Sequence, residues 1–216
     1  MNEIANYCLY YLPKGSEGLN DVLMVYFGGN TPITERQEGD GFITFLNGRS
    51  VLGFALLDFS EYAKIKINGT IYLPNEYLIS IINSIFENAG ILIHLNAKEE
   101  SGFLVGKVLE KNEYEHSFLY KVDIKSEIIN VESTYDIEPN LLVCIAKKDT
   151  YLLPGRMIQQ YENKHHDIIK GRICTYDDLQ MEVSNSHLPL LMQEDELEIG
   201  QDFFLMEEKN NDGSRA

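Results

Sequence analysis

The sequence predicts an α+β N-terminal domain followed by an all-β barrel, on three observations. Short runs rich in Val, Ile, Phe and Leu, broken by Gly-Asn, Gly-Asp and Asn-Gly, occupy residues 21–59 and have the composition of antiparallel strands and their turns. One segment, residues 73–90, carries instead the 3.6-residue apolar period of a helix. Beyond a polar break, apolar runs recur about every ten residues, the rhythm of a sandwich or small barrel.

In order, DVLMVYF (21–27), GFITFL (41–46) and SVLGFALLDF (50–59) read as strands of a small sheet. LPNEYLISIINSIFENAG (73–90) places apolar residues at 78, 79, 81, 82, 85, 86 and 89, one broad face, with Asn75 as N-cap and Gly90 as the stop. A helix near 75–89 covering the sheet makes residues 1–98 a small α+β domain. LNAKEESG (95–102) is polar enough for a boundary. FLVGKVLEK (103–111), SFLYKVDI (117–124), IINVES (128–133) and LLVCIAK (141–147) then read as strands, and EDELEIGQDFFL (194–205) offers one more after a turn at Gly200. Five or six such strands suit an OB-fold barrel over residues 103–206, with 207–216 as a disordered tail. In IIKGRICTYDDL (168–179), Thr175 followed three residues later by Asp178 has the capping-box pattern of a helix start.

Composition narrows function. An apolar fraction of 44% with 13 Tyr and 10 Phe places the chain among globular proteins. No apolar run approaches the ~20 residues that span a bilayer, and MNEIANYCLYYLPKG lacks the basic start of a secretory signal, so a soluble, non-membrane protein is expected. Cys8, Cys144 and Cys174 form no CxxC pair, which suits a reducing, cytoplasmic setting and excludes a cysteine zinc site. The sequence holds no phosphate-binding, nucleophile-elbow or zincin motif. His165-His166-Asp167 lacks a third ligand, and Asp177-Asp178 and Glu207-Glu208 fit a helix start and a solvated tail. No catalytic residue, metal or cofactor is therefore expected.

The net charge of −16 argues against a general affinity for nucleic acid. Its distribution is uneven: residues 103–181 carry 10 basic and 13 acidic groups and are the least acidic part. There Lys107, Lys121, Lys147, Lys148, Arg156, Lys164, Lys170 and Arg172 alternate with aromatics and turns, a mixture compatible with RNA held by cations and stacking rings.

The order FLVGKV, YKVDI, LLVCIAKK, LLPGRMI, GRICTYDDL resembles the tRNA-binding domain of phenylalanyl-tRNA synthetase beta chains, of the methionyl-tRNA synthetase C-terminal appendix and of stand-alone bacterial tRNA-binding proteins. YLPKGSEGLNDVLMVYF and GRSVLGFALLDFSEY look like the domain preceding that barrel in the YtpR-like proteins of Gram-positive bacteria. The resemblance covers about residues 10–205. It implies non-catalytic binding of tRNA or another structured RNA on an OB-fold barrel. Lys147, Lys148, Lys170 and Arg172 would hold phosphates, Thr175 and Ser133 would donate hydrogen bonds, and Tyr135 would stack. A second copy of the chain, as a homodimer, and an aminoacyl-tRNA synthetase are further candidate partners.

The chain also departs from that family. NEYEHS replaces a loop with His-Pro-x-Ala-Asp, Glu132 to Asp136 (ESTYD) replaces Cys-Gly-Ala-Pro-Asn, and Tyr176 replaces a lysine. An acid set against a phosphate opposes binding. The alternative is thus a protein-interaction or dimerisation module that keeps the fold without RNA.

Overall fold

The computed structural model of the protein describes residues 2–15, 21–193 and 197–205. It is nearly all β, 43% strand and 10% helical. This corrects the expected α+β N-terminal domain: no distinct domain of that class is evident. Among the described residues only Glu76–Asn88 combines a helical apolar period with a cap, whereas several polar stretches form short strands. The chain divides into two compact units, residues up to Glu99 with Leu153–Met157, and Glu100–Leu152 with Ile158 onward. The proposed tail at 207–216 lies outside the described residues.

In the first unit β1 (Asn2–Ile4) precedes β2 (Cys8–Leu12), β3 (Val22–Tyr26), β4 (Glu35–Glu38), β5 (Phe42–Asn47), β6 (Ser50–Leu57), β7 (Gly69–Ile71), α1 (Glu76–Asn88) and β8 (Ile93–Leu95). Six of these strands make one antiparallel sheet in the order β4-β5-β6-β3-β2-β7. β1 pairs with β8 in parallel. Asn75 caps α1 by accepting from the Leu78 amide at 2.9 Å. Gly90, at φ +69°, lies just beyond its end. Leu78, Ile79, Ile82 and Phe86 share one core cluster with Leu9, Leu23, Val25 and Phe54, and the Phe54 and Phe86 rings lie 5.1 Å apart. Burial pushes the Cys8 thiol up to about 12, so it remains a packed thiol.

Beyond Glu99 the chain forms β9 (Phe103–Glu113), β10 (Phe118–Asp123), β11 (Ile128–Ser133), β12 (Leu142–Lys147), β13 (Tyr151–Leu153), β14 (Arg156–Met157), β15 (Tyr161–Glu162), β16 (Ile168–Ile173) and β17 (Leu191–Met192); β14 and the last residue of β13 belong to the first unit, the others to the second. Five of them close a small β-barrel compatible with an OB-fold. Antiparallel pairs β9–β10, β10–β11, β12–β16 and β12–β9 and the parallel pair β11–β16 complete the ring. β9 can serve two neighbours because it is 11 residues long: Phe103–Lys107 pairs with β12 and Lys107–Glu113 with β10. A Cβ on Gly106 would meet Val122 at 2.6 Å and Ile145 at 2.8 Å, so glycine keeps space for the barrel interior. Val108, Tyr120, Val122, Ile129, Val131, Val143, Ile145 and Ile173 fill it.

The strand expected within 194–205 is not found in the described part of that segment. Residues 199–200 turn, Asp202 forms an isolated bridge to Leu104, and 203–205 are helical. Asp202 accepts from the Phe204 and Leu205 amides and from Ser101, which suits a helix start better than a ladder. The helix start read at Thr175 is likewise modified. Thr175 and Asp178 exchange both capping bonds, at 3.1 and 3.2 Å, but they close a single turn. Gln180 takes a left-handed φ of +56° and ends it.

Candidate nucleic-acid interface

Strand alternation decides which cations reach the surface. On β16, Ile169, Gly171 and Ile173 are buried, so Lys170 and Arg172 point outward. On β12 the first five residues are buried and Lys147 is the first to emerge. The Lys148 amide donates to the Lys170 carbonyl at 2.8 Å and brings the two strand ends together. Lys147, Lys148 and Lys170 consequently line one cleft of about 650 Å³, with Leu104, Ile124 and Ile129 as apolar walls.

Sequence reasoning missed a fourth cation there, Lys125. It occupies the left-handed position (φ +70°) of the β10–β11 turn, where its amide donates to Asp123 at 2.8 Å. The signal available was its place in a tight connection between two strands. Also missed were the acids that answer these cations. Lys147 pairs with Glu100, and Lys170 with Glu127 at 2.8 Å. Lys125 and Glu198 are 3.7 Å apart. Among the described residues Lys148 is exposed and has no ion pair. Such half-exposed pairs are weak and exchange partners readily, so an arriving phosphate competes with a carboxylate for the same ammonium.

The other sequence candidates lie outside the cleft lining. Arg172 donates through Nε to Asp178 Oδ2 at 2.9 Å; its side chain is 42% exposed, that of Asp178 only 3%. Thr175 is buried and its hydroxyl accepts from the Asp178 amide, so it is committed to the turn. Ser133 Oγ accepts from the Tyr135 amide at 3.2 Å. The Tyr135 hydroxyl donates to the His187 carbonyl at 2.6 Å, and its ring packs against the barrel core.

The far end of β11 holds a second polar group. Glu132 accepts from the Ser117 hydroxyl at 2.7 Å and the Tyr161 hydroxyl at 3.3 Å. Burial first, and Glu132 second, raise the Tyr161 phenol above its ordinary range. The His165-His166-Asp167 run serves loop contacts. Tyr114 stacks on His165 with centroids 3.8 Å apart and donates to Asp167 at 2.7 Å. His166 Nδ1 and Glu162 Oε1 are 2.5 Å apart. No family model matches the chain, and neither does any curated protein.

Proposed function

We propose that the barrel binds structured RNA, tRNA above all, without catalysing a reaction, and that phosphates enter the lysine cleft. The observation that carries this reading is the convergence of Lys125, Lys147, Lys148 and Lys170 on one cleft in a protein of net charge −16. The four lysines share the lining with Glu100, Glu127 and Asp149, so the cleft becomes cationic toward a phosphate chain as these acids give up their partners. Arg172, next outward on β16, extends the same track. The resemblance to tRNA-binding domains, including the YtpR-like arrangement, supports tRNA as the RNA and the cytoplasm as its setting. No helix among the described residues is long and apolar enough to cross a membrane.

Binding of purified protein to bulk tRNA, followed by fluorescence anisotropy at two salt concentrations, tests this. Micromolar affinity that falls steeply with salt is expected, because each phosphate neutralised releases counterions. Absence of binding at low salt would sink it.

A second reading is a protein-interaction or homodimerisation module, with a synthetase among the candidate partners. The observation favouring it is that Lys147, Lys170 and Arg172 already hold Glu100, Glu127 and Asp178. Light scattering at micromolar concentration separates dimer from monomer, and co-elution with a synthetase tests the partner.

A further inference from the structure

Small barrels of this topology commonly present ligands to their second and third strands and to the loops after the first and fourth. In this chain those elements are β10, β11, the connection at 114–117 and, of the connection between β12 and β16, residues 158–167. The two connections meet through the Tyr114–His165 stack and the bond from the Tyr114 hydroxyl to Asp167. Beside them Tyr161 is 49% exposed, with ring surface available for stacking. On β11, Ile129 and Val131 are buried, so Glu132 points outward from the same face. Its two oxygens are each oriented by one hydroxyl, from Ser117 and Tyr161. A carboxylate oxygen has lone pairs to spare after one such bond.

We propose that Glu132, beside the ring of Tyr161, reads the Watson–Crick edge of an unpaired guanine in the RNA whose phosphates occupy the lysine cleft. The proposal rests on the RNA reading above and adds a base preference to it. A carboxylate only accepts hydrogen bonds, and guanine is the base whose Watson–Crick edge carries two adjacent donors, N1–H and the N2 amine. It can therefore satisfy both oxygens in a charge-assisted, bidentate pair. Adenine and cytosine set a ring-nitrogen lone pair against the second oxygen, and uracil flanks its one donor with two carbonyls. Exposed tyrosine supplies stacking, which is tolerant of base identity, so selectivity falls to Glu132.

The placement is consistent with the backbone track. Lys170 and Arg172 are alternate residues on β16, about 6.6 Å apart along the strand, and lead from the cleft toward Glu132 through the parallel β11–β16 pairing. Glu162 and Asp167 lie near Tyr161 and Tyr114, and their charge disfavours a phosphate at that end. The carboxylate that opposes binding if set against a phosphate thus gains a role against a base.

The test uses full-length protein and three fluorescent nine-nucleotide single-stranded RNAs: all adenosine, adenosine with one central guanosine, and adenosine with one central inosine. Binding about tenfold tighter to the guanosine strand than to the all-adenosine strand is expected. Inosine, which keeps N1–H and lacks the amine, should fall between. Glu132→Gln should erase the preference while leaving the melting temperature near that of the parent. Tyr161→Phe, which keeps the ring but not the orienting hydroxyl, should narrow the guanosine preference while Tyr161→Ala weakens all three strands. Equal affinity of the parent for guanosine and adenosine strands, or a preference that survives Glu132→Gln, overturns the inference and leaves the lysine-cleft reading standing. If no strand and no tRNA binds at low salt, the RNA reading fails and this inference with it. A nona-lysine peptide that binds the parent and is lost in Glu132→Gln would also overturn it, assigning the face to a cationic protein partner.

Discussion

The two ends of β11 handle charge in opposite ways. At its start Glu127 is spent on Lys170, and across the cleft Glu100 is spent on Lys147, so charge meets charge. At its end Glu132 accepts from two neutral donors, the Ser117 and Tyr161 hydroxyls, with the Arg172 cation acting nearby on Tyr161. The first end holds cations in reserve, because their partners are half exposed and replaceable. The second end presents an anion oriented by two hydroxyls and held in no ion pair among the described residues. One strand can in this way offer a phosphate a cation and a base an acceptor, which a uniformly basic surface cannot do.

The comparison breaks most directly at the cleft. Lys147→Glu with Lys170→Glu should lower tRNA affinity by about a hundredfold at low salt and reduce the slope of log affinity against log salt by about two. Anisotropy titrations across a salt series read both quantities. An unchanged affinity would remove the cleft from the interface. Arg172 is a poorer target for reversal, because a glutamate there would face the buried Asp178 and damage the turn.

Asp178 itself gives the next largest effect. Its carboxylate accepts from the Thr175 amide and from Arg172. Asp178→Ala should therefore cost about 2 kcal/mol of unfolding free energy in a urea titration, as a lost cap and a lost charged bond. A loss below about 0.5 kcal/mol would mean that the turn closes without it.

Parts of this arrangement were legible in the sequence and parts were not, for physical reasons. The α1 cap and stop are local events, readable from Asn75 and Gly90 alone. The strands from β9 to β12 follow from apolar runs bounded by turns, whereas the alternation that sets Lys170 and Arg172 outward on β16 appears only in the structure. The ion pairs could not be read, since Glu100 is 47 residues from Lys147 and Glu127 is 43 from Lys170. Only barrel closure brings them together. The α+β expectation failed because short polar strands such as β4, with ERQE fully exposed, carry no apolar pattern. Thr175 shows a local rule overridden: its capping box forms, but the left-handed Gln180 stops the chain before a helix can grow.

If the cleft acids act as competitors, removing them should improve binding. Glu100→Gln with Glu127→Gln should raise tRNA affinity by roughly three- to tenfold, consistent with surface pairs worth about 1 kcal/mol or less. The same titration used for the lysine variants reads this, and a decrease would mean that these acids position the lysines rather than compete for them.

The smallest effect lies in the first unit, where Asp21 repeats the Glu132 pattern in a buried setting. It accepts from the Tyr11 hydroxyl at 2.9 Å and from the Ser60 amide and hydroxyl at 2.9 and 2.5 Å. Burial pushes its carboxyl upward, but the Ser60 and Tyr11 hydrogen bonds, with a lesser contribution from Lys14, outweigh that and hold it below the ordinary carboxylate range. Because the folded value is depressed, the stability Asp21 contributes is present above the unfolded value of about 3.9. It is lost as pH falls through the folded value. Urea titrations between pH 6 and pH 2 should show this decline in the parent and a flatter profile in Asp21→Asn. Matching profiles would mean that Asp21 is no better held as a carboxylate in the folded chain than in the unfolded one. Hydroxyl and amide donors, even with Lys14 nearby, would then be insufficient to hold a buried charge, which would weaken the case that two hydroxyls hold Glu132.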